Sequence, residues 1–82
     1  MRLVLLSPVK MLFDGEIDSV TIPGTKGQFT VLPHHAPLIT SIDEGIVTYK
    51  VGEVEHNVQV AEGFAEVKNN VVSICIEKVI DQ

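Results

Sequence analysis

From Glu53 to Val60 the chain alternates without a break, with Glu53, Glu55, Asn57 and Gln59 in one phase and Val54, His56, Val58 and Val60 in the other. Successive side chains of an extended strand point to opposite faces, so this segment reads as a strand with one polar and one apolar face. The period recurs elsewhere. Asp18, Val20 and Ile22 share one face and Ile17, Ser19 and Thr21 the other, while Val72, Ile74 and Ile76 alternate with Val71, Ser73, Cys75 and Glu77. β-branched residues dominate these runs, as a pleated surface favours. No stretch sets apolar residues at i, i+3, i+4 and i+7, so the chain reads as all-β.

Turn residues divide it. Pro23-Gly24 suits the two central positions of a type II turn, where proline presets φ and glycine accepts a positive one. Gly24-Thr25-Lys26-Gly27 reads as a hairpin turn, and Asp43-Glu44-Gly45, Val51-Gly52-Glu53, Glu62-Gly63 and Lys68-Asn69-Asn70 are further reversal signals. Turns every 8–12 residues or so, at roughly this density, predict a sandwich or barrel of short strands. Pro8, Pro33 and Pro37 cannot donate to a ladder and belong at strand starts, edges or connections. The last strand should leave Glu77 to Gln82 as a short tail. With 82 residues the chain has room for a single domain, 1–82, with a thin core.

Composition excludes several partners. Six basic against eleven acidic residues give a formal charge of −5, the wrong sign for neutralising a phosphate backbone, so no nucleic acid is expected. The longest early apolar run, Leu3 to Leu6, is far short of the roughly 20 residues of a spanning helix. Ser7, Pro8 and Lys10 interrupt it where a signal peptide would stay apolar. Direct membrane insertion is therefore not expected. Cys75 is the single cysteine, which leaves no internal disulfide and fits a small, buried or half-buried apolar residue in a reducing compartment.

No constellation of residues points to catalytic or metal chemistry. His34 and His35 are adjacent, and neighbours on an extended chain point apart, so they are badly placed to hold one ion. No Cys or carboxylate stands beside them at zinc-like spacing, and no metal is expected. His56 falls in the apolar phase of its strand and reads as packed or hydrogen-bonded. Asp14, Glu16 and Asp18 recur at every second residue. Carboxylate pairs can do acid–base work, but a row of like charges reads as a solvated face that discourages edge pairing. Gly24 to Gly27 lacks the P-loop spacing and a following helix. Aromatic platforms for single strands are missing too. The residues alone give an all-β module that works by contact.

From Pro23 onward, Pro23-Gly24-Thr25-Lys26-Gly27-Gln28-Phe29-Thr30-Val31-Leu32-Pro33-His34-His35-Ala36-Pro37-Leu38-Ile39-Thr40 closely resembles the signature of the F-type ATP synthase epsilon subunit family. Ser7-Pro8 and Met11-Leu12-Phe13-Asp14-Gly15 look like that family's opening strands. Gly45-Ile46-Val47, Glu62 to Val67 and Asn70 to Ile74 look like its later ones, in order and over nearly the whole chain. The resemblance implies a flattened β-sandwich of about ten short strands. It implies a non-catalytic central-stalk subunit, bound to the gamma subunit and seated on the c-ring, that couples proton flow to ATP synthesis. Its place would be peripheral, on the cytoplasmic side of the bacterial plasma membrane, and it would need no cofactor.

The resemblance also assigns positions. Lys26, Gln28, Thr30 and His35 correspond to the part of the family that faces the polar loops of the c-ring. Ser7 and Thr40 correspond to its gamma-facing surface. Gly24, Gly27, Pro33 and Pro37 read as structural turn residues. Family members often carry acids at the first two ring-facing positions, where this chain has Lys26 and Gln28. That departure counts against charge pairing with a basic ring loop. Longer relatives continue into two helices that inhibit ATP hydrolysis and in some members bind ATP. With none after Gln82, no helix-type inhibition and no nucleotide are expected. Two other readings remain open: a free-standing binding module, and a hydrolase using His35 with acidic partners.

Overall fold

The computed structural model describes the backbone of residues 1–79 and the side chains of residues 1–77. Eight strands follow one another: β1 (Arg2–Leu6), β2 (Met11–Glu16), β3 (Ser19–Gly24), β4 (Gly27–Val31), β5 (Leu38–Ile42), β6 (Gly45–Val51), β7 (Val54–Lys68) and β8 (Val71–Val79). They form one hydrogen-bonded sheet in the order β2-β1-β8-β7-β5-β3-β4, with β6 pairing β3 and β7. Among the described residues only β1 and β8 pair in parallel. The sheet folds over on itself, so that Leu3, Leu5, Ala65, Val67, Val72 and Ile74 of one half meet Val20, Ile22, Val31, Val47 and Val60 of the other in one core. The chain is all-β, as the alternation predicts, and it forms the sandwich that the resemblance implies.

The strand number differs from the expected ten or so, and β7 is the reason. Its 15 residues run without interruption from one half of the sandwich into the other. The first part pairs with β6 from Val54 to Val60, and the second pairs with β5 from Gly63 to Val67. Glu62-Gly63, read as a reversal, is a bulge: the register with β8 shifts on either side of Glu62. One added residue bends a strand and inverts the phase of the residues beyond it. Thus Val58 and Val60 point inward before the bulge, and Ala65 and Val67 after it.

Further local readings change. Pro23 and Gly24 lie inside β3, and the chain reverses two residues later at Thr25-Lys26, between the paired Gly24 and Gly27. Gly27 carries the positive φ, 126°. Ile17 is buried rather than sharing the polar face of Ser19 and Thr21, because β2 ends at Glu16 and the link to β3 resets the phase. His56 has the predicted phase but not the depth. It is exposed, and so is Val54, because the β6–β7 hairpin extends past the core. His56 stacks on Tyr49 at 5.0 Å between ring centroids, and Phe13 meets Tyr49 at 4.6 Å. Burial pushes the Tyr49 phenol above its usual range. Glu77 belongs to β8, which runs to Val79; the rest of the expected tail, 80–82, lies outside the described residues.

The acidic row is partnered. Asp14 accepts two 2.8 Å bonds from the Arg2 guanidinium, Glu16 lies 3.2 Å from the Met1 amino group, and Asp18 accepts the Gly52 N–H at 2.7 Å. The Arg2 hydrogen bonds, with its charge, hold the Asp14 carboxyl below its usual 3.8. A carboxylate depressed on folding stabilises above its unfolded pKa, and that contribution disappears as pH falls through the lower folded value. Asp14 is therefore expected to titrate below the ordinary carboxylate range by NMR and to return to it in Arg2→Gln. An unchanged titration in that variant would refute the pairing.

Candidate functional site

The stretch from Pro23 to Thr40 forms a hairpin tip and a braced return. At the tip, the Thr25 N–H donates to the Ser41 carbonyl at 3.1 Å and its hydroxyl meets that of Ser41 at 3.0 Å. The Asp43 N–H donates to the Pro23 carbonyl at 2.9 Å. These bonds tie the end of β3 to β5, so the tip is held by a strand from outside its own hairpin. Lys26 and Gln28 stand exposed on it. Together with Gly24, Gly27, Phe29, Leu38 and Thr40 they line a shallow hollow of about 340 Å³. The structure thus brings Thr40 to Lys26 and Gln28. Thr30 lies on the outer sheet face, where its hydroxyl meets that of Thr21 at 2.9 Å.

The return is braced differently. Pro33 and His34 are the central residues of a turn closed by the His35 N–H donating to the Leu32 carbonyl at 3.2 Å. His34 takes φ 68°, the position where a type II turn prefers glycine. Its N–H donates to Asn70 Oδ1 at 2.9 Å, which fastens the return to the β7–β8 turn. The Asn69-Asn70 pair of that turn has φ of 53° and 63°, a left-handed conformation asparagine tolerates. His35 Nδ1 is 2.7 Å from the Ala36 carbonyl. A carbonyl only accepts, so Nδ1 carries a proton in this contact. Pro33 and Pro37 lie in the connection, as expected of residues that cannot join a ladder. No group of three His, Cys, Asp or Glu among the described residues converges as a metal site.

Ser7 lies elsewhere. It opens the β1–β2 turn, its N–H bonded to the Lys10 carbonyl at 2.9 Å, and lines an apolar hollow with Leu6, Pro8, Cys75, Ile76 and Glu77. A row of paired positions crosses the outer face from there: Met11, Leu6, Cys75, Phe64 and Ser41 are neighbours in register on β2, β1, β8, β7 and β5. Phe64 is 50% exposed and Met11 55%, with Ile39 at 72% beside them on β5. The sequence patterning does not single out these apolar residues. The signal is nonetheless present: after Gly63, Phe64 falls in phase with Glu62 and Glu66, the solvent side.

Residues 1–82 match the pattern of the family described as ATP synthase, Delta/Epsilon chain, beta-sandwich domain. The ATP synthase epsilon chain of Leptospira borgpetersenii is 46% identical over 70 residues, covering 85% of this chain and 55% of that one. That of Rhodospirillum rubrum is 37% identical over 78 residues, covering 94% and 58%. The chain therefore spans just over half the length of these relatives. Among solved structures, a chain of the Euglena gracilis mitochondrial ATP synthase superposes with a TM-score of 0.88 at 23% identity, over 95% of this chain and 51% of that one. A chain of the Tetrahymena thermophila central stalk and c-ring gives 0.82 at 18%, over 99% and 66%. At those identities the structures show a shared fold, and the relatives show descent: the chain belongs to the β-sandwich domain family of ATP synthase delta/epsilon chains.

Proposed function

We propose that this domain is the non-catalytic sandwich of a central-stalk subunit in a proton-translocating F-type ATP synthase, linking the gamma subunit to the c-ring. The observation that carries this reading is the family match along the full 82 residues. The surface supports it by offering two distinct contact regions. The exposed polar residues of the hairpin and its return, Lys26 and Gln28 at the tip, Thr30 along β4 and His35 beyond it, suit the polar loops of a ring. The apolar row running from beside Ser7 to Phe64 and Ile39 suits a stable protein partner, since contiguous exposed apolar surface commonly marks an interface. Thr40 lines the hollow at the tip, so a gamma subunit reaching it would abut the ring contact. The work is mechanical: holding stalk to ring so that rotation of one turns the other. With bacterial relatives at hand, the domain sits peripherally on the cytoplasmic side of the plasma membrane, held there by its partners.

Mixed with purified gamma subunit, the chain is expected to co-elute with it on a sizing column. Phe64→Asp should weaken that association by roughly tenfold or more, the effect of placing a charge in an apolar contact. ATP hydrolysis by the isolated catalytic head should keep its rate. Separate elution of the two proteins would defeat the reading, and would favour a free-standing binding module instead.

A further inference from the structure

The two edges of the sheet are protected unequally. One edge, β2, carries Asp14 and Glu16, and a register shift opposite Leu5 and Leu6 distorts its pairing with β1. Charges and bulges are the usual guards against edge-to-edge pairing. The other edge, β4, pairs with β3 alone among the described residues. It carries Gly27, Gln28, Phe29, Thr30 and Val31, with neither charge nor proline.

The pairing also fixes which backbone groups of β4 are free. The Pro23 carbonyl accepts from the Asp43 N–H just past β5 at 2.9 Å, and the Thr25 N–H donates to Ser41 of β5 at 3.1 Å, both on the side of β3 away from β4. Gly24, between them, therefore directs its own groups toward Gly27. In an antiparallel ladder such pairs alternate. Gly24 with Gly27, Ile22 with Phe29 and Val20 with Val31 are bonded pairs, while Gln28 and Thr30 turn their N–H and C=O groups outward. The short separation of the Thr21 and Thr30 hydroxyls, 2.9 Å, is what a non-bonded pair gives.

We infer that β4 is a strand-addition edge, and that the occupant it fits is β4 of a second copy of this chain. Run antiparallel about a two-fold axis at Phe29, Gln28 faces Thr30 of the second copy and Thr30 faces its Gln28. All the outward groups are then satisfied in two bonded pairs. Such an isologous contact requires each residue's partner to be paired back in the same way, and this register closes on itself. The axis is perpendicular to the sheet, so inward faces stay inward and the Phe29 rings adjoin across it. Lys26, the nearest charge, falls opposite Leu32, beyond the paired stretch. No like charges meet along the strand. The inference goes beyond the stalk reading and is tested without gamma or ring, so the two can fail separately. If both hold, the pair hides Gln28 and Thr30, and pairing competes with seating on the ring.

Sedimentation equilibrium of the 82-residue chain is expected to show reversible dimers at roughly 1 mM, consistent with the small area of a single-strand contact. Amide exchange at Gln28 and Thr30 should slow as concentration rises. The double variant Gln28→Glu with Thr30→Glu sets carboxylates opposite carboxylates, and dimerisation should weaken about tenfold. Gln28→Lys with Thr30→Glu sets opposite charges face to face and should restore it. A chain that stays monomeric at that concentration overturns the inference. So does an acidic double variant that dimerises like the parent, or a charge-paired variant that fails to recover while retaining its fold by circular dichroism.

Discussion

Gly63→Ala is expected to destabilise the domain by about 3 kcal/mol, at the upper end for forcing extra atoms into a packed site. For a domain of this size that lowers the thermal midpoint by roughly 12–24 °C, readable from a far-UV melt. The cause is steric and local. A Cβ on Gly63 would overlap the Cys75 carbonyl oxygen and stand 2.9 Å from Ile76 Cα. Both belong to the backbone of β8, which is paired on one side with β1 and on the other with β7, so neither can swing aside as a side chain would. Gly52 provides the contrast. A Cβ there would meet nothing within 4 Å, although its φ of 63° is one that few residues other than glycine and asparagine adopt without strain. A loss below about 1 kcal/mol for Gly63→Ala would mean that the bulge relaxes, and that the two strands are not locked there.

Leu5→Ala is the second large effect. Leu5 has no exposed surface and sits on β1, between β2 and β8. Truncating a buried leucine removes its transfer energy and leaves a cavity, together costing about 2–5 kcal/mol. A domain of this length has a total stability of roughly 4–12 kcal/mol, so the loss would be a large share of it. The urea midpoint should fall accordingly with its slope preserved. Ile39→Ala, at a position 72% exposed, should change stability by no more than about 0.5 kcal/mol. Equal costs at the two positions would contradict the burial pattern.

Much of this arrangement is legible in the sequence. Alternation alone places Val20, Ile22, Val72, Ile74 and Ile76 on apolar faces, and all five are core residues. Alternation gives phase, however, and not depth. Val54 and His56 keep the inward phase of Val60, yet their hairpin runs past the end of the core, and nothing in the local pattern marks where the core stops. Glycine is ambiguous in a related way. Gly63 reads as a reversal because glycine punctuates chains, whereas its role is to let two backbones approach. A turn and a bulge ask for the same residue, and only the partner strand distinguishes them. At the tip, the hairpin between Gly24 and Gly27 is readable. The meeting of Thr40 with Lys26 and Gln28 is not, because it depends on the pairing of β3 with β5, distant in sequence. The family signature supplies the identity that spacing and charge cannot.

The unbroken course of β7 has a mechanical consequence. A strand shared by both halves of the sandwich cannot be extracted by opening one hydrogen bond after another, as a hairpin is peeled from its free end. A pull along β7 loads its ladders with β5, β6 and β8 together, in shear. Many bonds must then yield at once. If the tip and the outer apolar row take hold of different partners, the load between them passes along this one stiff beam, and the sandwich behaves as a coupling rather than a hinge.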